Sequence, residues 1–151
     1  YLGRRYRLKV LYGSSQLVRL HAGYIEVTLP TATSESVEEA IRQWYRERAE
    51  VHLTAIFADV LAKYHRPLPT TPAIRIRKLA KRWGTCNKDG RIDLNVDLIR
   101  VPRSCIEYVA AHELCHVLVP DHSAEFYGLL RSVMPDWKER KARLEVIAAR
   151  A

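Results

Sequence analysis

Nowhere does this chain run for the roughly 18 uninterrupted apolar residues of a membrane helix, so a helical membrane span is excluded. No charged segment leading into an apolar stretch opens it, and no secretion signal is read there. The opening, Tyr1-Leu-Gly-Arg-Arg-Tyr6, reads as the middle of something, and a further natural N-terminal segment is expected. Cysteine is scarce. Cys86, Cys105 and Cys115 form no C-x-x-C pair, and three cannot all pair within one chain. That argues for a reducing cytoplasm, with the thiols packed as small apolar groups. A glycine-rich phosphate loop, internal sequence repeats and low-complexity tracts are also missing.

What is present suits one ordinary domain spanning 1–151, since 48% of the 151 residues are apolar and can fill a core. Net charge is +8, from 25 basic and 17 acidic residues. Such a balance favours polyanions, so nucleic acid or nucleotide contact through a basic surface is one expectation; it is equally a means of staying soluble.

The first 30 residues carry β patterns. Tyr6, Leu8 and Val10 alternate with Arg5, Arg7 and Lys9, as in a half-buried strand. Segments 16–20 and 24–29 read as a hairpin turning at His21-Ala-Gly23, and Pro30 ends the sheet. Ser36 and Glu39 have the spacing of a capping box that opens a helix reaching about Tyr64. Arg66-Pro-Leu-Pro-Thr-Thr-Pro72 cannot continue it. Ile74–Ile76 and Arg91–Leu98 read as strands, with a turn at Asn87-Lys-Asp-Gly90. Ser104 and Glu107 suggest a second capping box for a helix through about Val119. Further helices are expected at Ser123–Met134, ended by Pro135, and beyond Asp136, with Glu139 completing its cap. The whole is α+β, a small mixed sheet backed by helices.

His112-Glu-Leu-Cys-His116 falls inside the second of these helices. Residues four apart lie on one helical face, so both imidazoles can hold one zinc ion. Glu113, one step round, is placed to take a proton from water that the ion has acidified. The helix is apolar on nearly every side, and burying His, Glu and His in it costs free energy unless something satisfies them. After a break at Pro120-Asp121, His122 completes an H-E-x-x-H-x-x-x-x-x-H spacing and is the expected third ligand, one zinc per chain. The metzincin pattern has glycine where Val119 stands, so the turn must be made differently. The competing ligand is Glu125.

Together these residues and several others resemble the YgjP-like zincin metallopeptidases, relatives of the WLM and SprT-like groups. The resemblance runs over nearly the whole chain, through Tyr1–Tyr6, Trp44-Tyr45, Arg82-Trp-Gly-Thr-Cys86, Ile92-Asp-Leu-Asn95, Tyr108-Val109, the histidine motif, His122-Ser-Ala-Glu-Phe126 and Pro135-Asp-Trp-Lys138. It implies a zincin-like fold with a small sheet, a long helix and a buried H-E-x-x-H helix, and an N-terminal β segment beyond this chain. Tyr127 and Thr85 replace the usual tryptophan and serine, a change expected to affect pocket shape without touching the ligands.

Three residues are candidates for substrate contact, each with a plainer alternative. Asn95 lies on the strand zincins use to hold an extended peptide, but could instead cap a turn or pair inside the sheet. Arg82 could stabilise an oxyanion, or be one more charge in the run Arg75, Arg77, Lys78 and Lys81. Tyr108, one turn before His112, could face a tetrahedral intermediate or simply pack. Trp83 and Met134 are expected in the core, His21, His52 and His65 on outer faces, and Cys115 buried and inert. The leading function is a zinc metallopeptidase. The others are a zinc-dependent nucleotide phosphohydrolase and a nucleic-acid-associated module with a structural metal.

Overall fold

A computed structural model describes residues 1–150. Instead of one sheet it has two, each of three short strands. The first contains β1 (Arg7–Tyr12), β2 (Leu17–His21) and β3 (Tyr24–Leu29); the second contains β4 (Ile74–Arg77), β5 (Gly84–Cys86) and β6 (Ile92–Asn95). In the first, β3 lies between β1, which runs parallel to it, and β2, which runs antiparallel. In the second, β6 lies in the same way between parallel β4 and antiparallel β5.

The strand plan therefore occurs twice although no sequence repeat announces it. A helix follows each time: α1 (Ser34–Lys63) lies against β2 and β3, and α2 (Arg103–Leu118) against β5 and β6. The register makes Ile25-Glu26-Val27 equivalent to Ile92-Asp93-Leu94. Glu26 faces Lys9 on β1, and Asp93 faces Arg75 on β4. Both acids are buried beneath bases. Glu26 pairs with Arg19 at 2.9 Å and Lys9 at 3.6 Å; Asp93 pairs with Arg75 at 3.0 Å, Arg77 at 2.8 Å and Arg91 at 3.5 Å.

Local signals hold with adjustments. The β2–β3 turn takes positive φ at Ala22 (47°) and Gly23 (82°), the twist a two-residue hairpin favours. Helix α1 starts two residues before Ser36: Thr33 is the cap and Ser36 the third residue, reciprocally bonded. Pro102, not Ser104, precedes α2, and Glu107 instead binds Arg103 and Arg140. Strand β6 ends at Asn95, where the chain tightens into a 3₁₀ turn over Val96–Arg100. Ser123 caps α3 (Ala124–Val133) through the Phe126 N–H at 3.4 Å. Asp136 precedes α4 (Trp137–Ala149) and binds Arg140, making no side-chain bond to a helix N–H.

The main core lies among α1, α2, β6, α3 and α4, around Leu53, Leu94, Ile106, Leu114, Phe126 and Leu130. A smaller core joins Ile25, Val27 and Leu29 to Ala40 and Trp44. Strand β1 is not half-buried as its alternation suggests: Leu8 and Val10 are 51% and 39% exposed. They share the side of the sheet that carries Ile25 and Val27, but the helix lies over β2 and β3 and leaves the edge strand β1 uncovered. No helix among the described residues is long and apolar enough to cross a membrane.

Candidate metal centre

Helix α2 is buried on most sides, by Cys105, Ile106, Val109, Ala110, Leu114 and Cys115. Packing therefore fixes its rotation, and with it the direction of His112 and His116. The chain then leaves the helix at Val119, and His122 returns to them. The three Nε2 atoms lie 3.1 Å (His112–His122), 3.2 Å (His112–His116) and 3.0 Å (His116–His122) apart. Ligand nitrogens at the corners of a tetrahedron with bonds of about 2.0–2.1 Å are separated by about 3.3 Å, so the donor set fits a tetrahedral metal ion. Glu125 does not belong to this cluster.

The rings are held from behind. His116 Nδ1 donates to the Val119 carbonyl at 3.0 Å, which leaves Nε2 as the free lone pair. Val119 itself is extended, at φ −128° and ψ 98°, so the turn needs no glycine there. Tyr108 Oη lies 3.5 Å from His112 Nδ1, and its ring meets that imidazole edge-on. Tyr108 is thus a support for His112, as much as a wall of the groove. Burial first, then the neighbouring His116 and His122, lower the His112 pKa to about 4, keeping that ring neutral and able to donate its lone pair. Burial likewise pushes the Tyr108 phenol up to about 12.

Beneath all three rings lies Phe126, fully buried. Its centroid is 4.4 Å from that of His116, stacked upon it, and 4.9 and 5.0 Å from those of His112 and His122. In the sequence Phe126 stands out only as the end of the His122–Phe126 motif, with nothing to mark it as a floor for the rings. Met134 lies in the core as expected, near Tyr64 and Ala111 at a separate small cavity. Tyr127 stacks over His122 at 6.3 Å, so the replacement of tryptophan there falls against one of the three clustered histidines, and not on pocket shape alone.

Glu113 is buried beside this cluster. Burial raises its pKa to about 7, while the charge of Arg82 and a bond from the Cys86 backbone N–H pull in the opposite direction. The space for its carboxylate comes from Gly84. A Cβ there would lie 2.9 Å from Glu113 Cγ, 3.0 Å from Oε1 and 3.1 Å from Val109 Cγ1. Sequence reading treats 82–86 as a connection between strands; the structure makes Gly84–Cys86 the edge strand beside the site.

A groove of about 790 Å³ runs over these residues, lined by β5, the Asn87–Gly90 turn, α2 and the His122 loop. Arg82 and Tyr108 line it, and so does Trp83, which is only partly buried. Asn95 does not. Its side-chain amide donates to the Leu79 and Arg82 carbonyls at 3.0 and 2.8 Å, and its oxygen accepts from the Asp97 N–H. Asn95 therefore shapes the loop that carries Arg82, on a central strand away from the groove. Of the remaining histidines, His52 stands against Tyr1, and His21 and His65 are exposed. Cys115 is buried, its thiol pushed up to about 12.

Three imidazoles facing one point, with a buried carboxylate beside them and an open groove above, form the layout of a hydrolytic metal centre. The family model described as "YgjP-like, metallopeptidase domain" matches residues 1–146, and the chain belongs to that family. No curated protein matches the sequence. Among solved structures, the metallopeptidase zymogen abylysin of Pyrococcus abyssi is 25% identical, with 67% of this chain and 92% of that one covered, at a TM-score of 0.47.

Proposed function

We propose that this protein is a zinc-dependent peptidase in which His112, His116 and His122 hold the ion and Glu113 is the general base. The observation that carries the proposal is the convergence of three Nε2 atoms within 3.2 Å beside a buried carboxylate on the same helix. A zinc ion bound there supplies Lewis acidity that polarises a carbonyl and acidifies water. Glu113 takes the proton of the attacking water on a carboxylate oxygen and passes it to the departing amine. A pKa raised by burial suits a group that must both accept and release a proton near neutrality.

The edge strand favours a peptide. Trp83 O accepts from the Asn95 N–H and Asn87 N–H donates to Arg91 O, so the residues between them alternate, and Gly84 and Cys86 turn their peptide groups away from β6. The Cys86 N–H reaches Glu113; the rest of that edge is open to an extended chain adding as a further strand. Cys86, Cys105 and Cys115 are all free thiols, in keeping with a reducing cytoplasm.

The test is a turnover screen on a mixed peptide pool with zinc-loaded protein, alongside elemental analysis. Glu113→Gln is expected to retain one zinc per chain and to lose about 10²–10⁴-fold in rate, because a base and not a ligand is removed. His122→Ala should lose both the metal and the activity. Full activity in Glu113→Gln, or no zinc in the native protein, would sink the proposal.

A further inference from the structure

The basic residues around the second sheet divide into two sets. Arg75, Arg77 and Arg91 surround Asp93, and Lys78 binds Asp97. Arg82 and Lys88 have no acidic partner within 4 Å among the described residues, and both line the groove. Apart from Glu113, they are the only Asp, Glu, Lys or Arg side chains among its lining residues. They are separated along the edge strand: Arg82 two residues before Gly84, Lys88 two residues after Cys86, with Glu113 packed under Gly84 between them. Acids near the rim are engaged elsewhere, Asp89 with Arg91 at 3.8 Å and Glu145 with Lys141 at 3.5 Å. Asp121, beside His116, does not line the groove.

A side chain that lines a binding groove without a counter-charge is free to supply one. From the arrangement we propose that Arg82 and Lys88 are specificity-determining residues that select acidic peptides, with carboxylates on both sides of the bond to be cleaved. This rests on the peptidase reading above and narrows its substrate class. The stretch paired with β6 runs from Trp83 to Asn87, about 13 Å at about 3.3 Å per residue, and Arg82 and Lys88 lie just beyond its two ends, so the two bases address opposite flanks of one substrate, not one group on it. That spacing suits carboxylates distributed along a peptide better than the compact charge of a triphosphate. Arg82 and Glu113 line the same groove, so the guanidinium faces the space in which the bond would be cleaved.

The experiment uses one peptide core with its flanking positions set to Glu, Gln or Lys, cleaved by the zinc-loaded protein. Glu-flanked peptides should exceed Gln-flanked ones by about fivefold in kcat/KM, with Lys-flanked ones slowest, the size expected of a partly exposed charge contact. The order should flatten in 1 M salt. Arg82→Glu combined with Lys88→Glu should reverse it, and Arg82→Gln, which keeps most of the stem, should weaken it. Lys81→Glu makes the same single charge reversal as either residue but outside the groove, and should leave the order intact. Binding of the same peptides to Glu113→Gln, followed by fluorescence anisotropy, should give the same ranking without any turnover. Peptides cleaved at equal rates regardless of flanking charge would overturn this inference and leave the peptidase reading standing. Nucleoside triphosphates hydrolysed while every peptide stays intact would overturn both.

Discussion

At Val18 and Gly84 the two halves of the molecule place different side chains at one position of one strand plan. Val18 sits opposite Val27 on β3, and Gly84 opposite Leu94 on β6. Val18 fills its space against the small core beneath α1. Gly84 leaves its space empty, and Glu113 of α2 occupies it. The same architecture thus closes over a hydrophobic contact in one half and opens onto a buried carboxylate in the other. The helices differ correspondingly: α1 brings Ala40 and Trp44 to its sheet, and α2 brings Val109 and Glu113. A site is made where the edge strand gives up a side chain so that the helix can bring a polar one close.

The largest effect is expected on putting the missing side chain back. Gly84→Ala forces its methyl against Glu113 and should lower kcat/KM by about 10–100-fold with zinc content unchanged, since displacing a reacting group by a fraction of an ångström is enough. Val18→Ala, at the matching position, should leave turnover intact and cost about 1 kcal/mol in urea denaturation. If Gly84→Ala remained fully active, the glycine would have no part in placing Glu113 and the comparison would fail.

The buried acids sharpen the parallel. Burial would raise the Asp93 pKa, but bonds from Arg75, Arg77 and Asn87 outweigh it and hold the carboxyl at about 2. A depressed pKa means stability that is fully present above the ordinary value of 3.8 and drains away as pH falls through about 2. Denaturation midpoints measured from pH 5 to pH 2 should fall for the native protein and fall less steeply for Asp93→Asn. Asp93→Ala should cost about 2–4 kcal/mol, as it strands three guanidinium groups around a buried vacancy. Glu26 is also held below its usual range, first by its bond from Arg19. Having two basic partners instead of three, it should be the less costly loss. A Glu26→Ala protein less stable than Asp93→Ala would show that the first sheet, not the second, depends more on its acid.

The smallest effect lies at the tip of the first hairpin. Ala22 has φ 47°, a region in which a Cβ is crowded. Ala22→Gly should stabilise by about 0.5 kcal/mol, after the extra chain entropy of glycine is set against the relieved strain, and raise Tm by about 1–2 °C. Lys88→Gly in the other turn has no such strain to relieve, because there the positive φ already belongs to Gly90.

Much of this molecule is determined by sequence alone, where the signal is local. The four-residue spacing of His112 and His116 puts both rings on one face of a helix whatever surrounds it. Likewise Pro135, Gly90 and the proline-rich connector end elements by their own backbone chemistry. Only tertiary structure decided the rest. Gly84–Cys86 is too short and too glycine-containing to signal a strand, and becomes one because Asp93 and its neighbours pair with it. The two sheets repeat a topology that their sequences do not repeat, since hydrogen-bonded register needs only alternation, not identity. The Phe126 floor, the engagement of Asn95 away from the groove and the freedom of Arg82 each depend on which distant side chains arrive beside them. The physical reason is the same in every case: a helix face is fixed by neighbours three and four residues away, whereas a groove is fixed by packing between segments far apart in the chain.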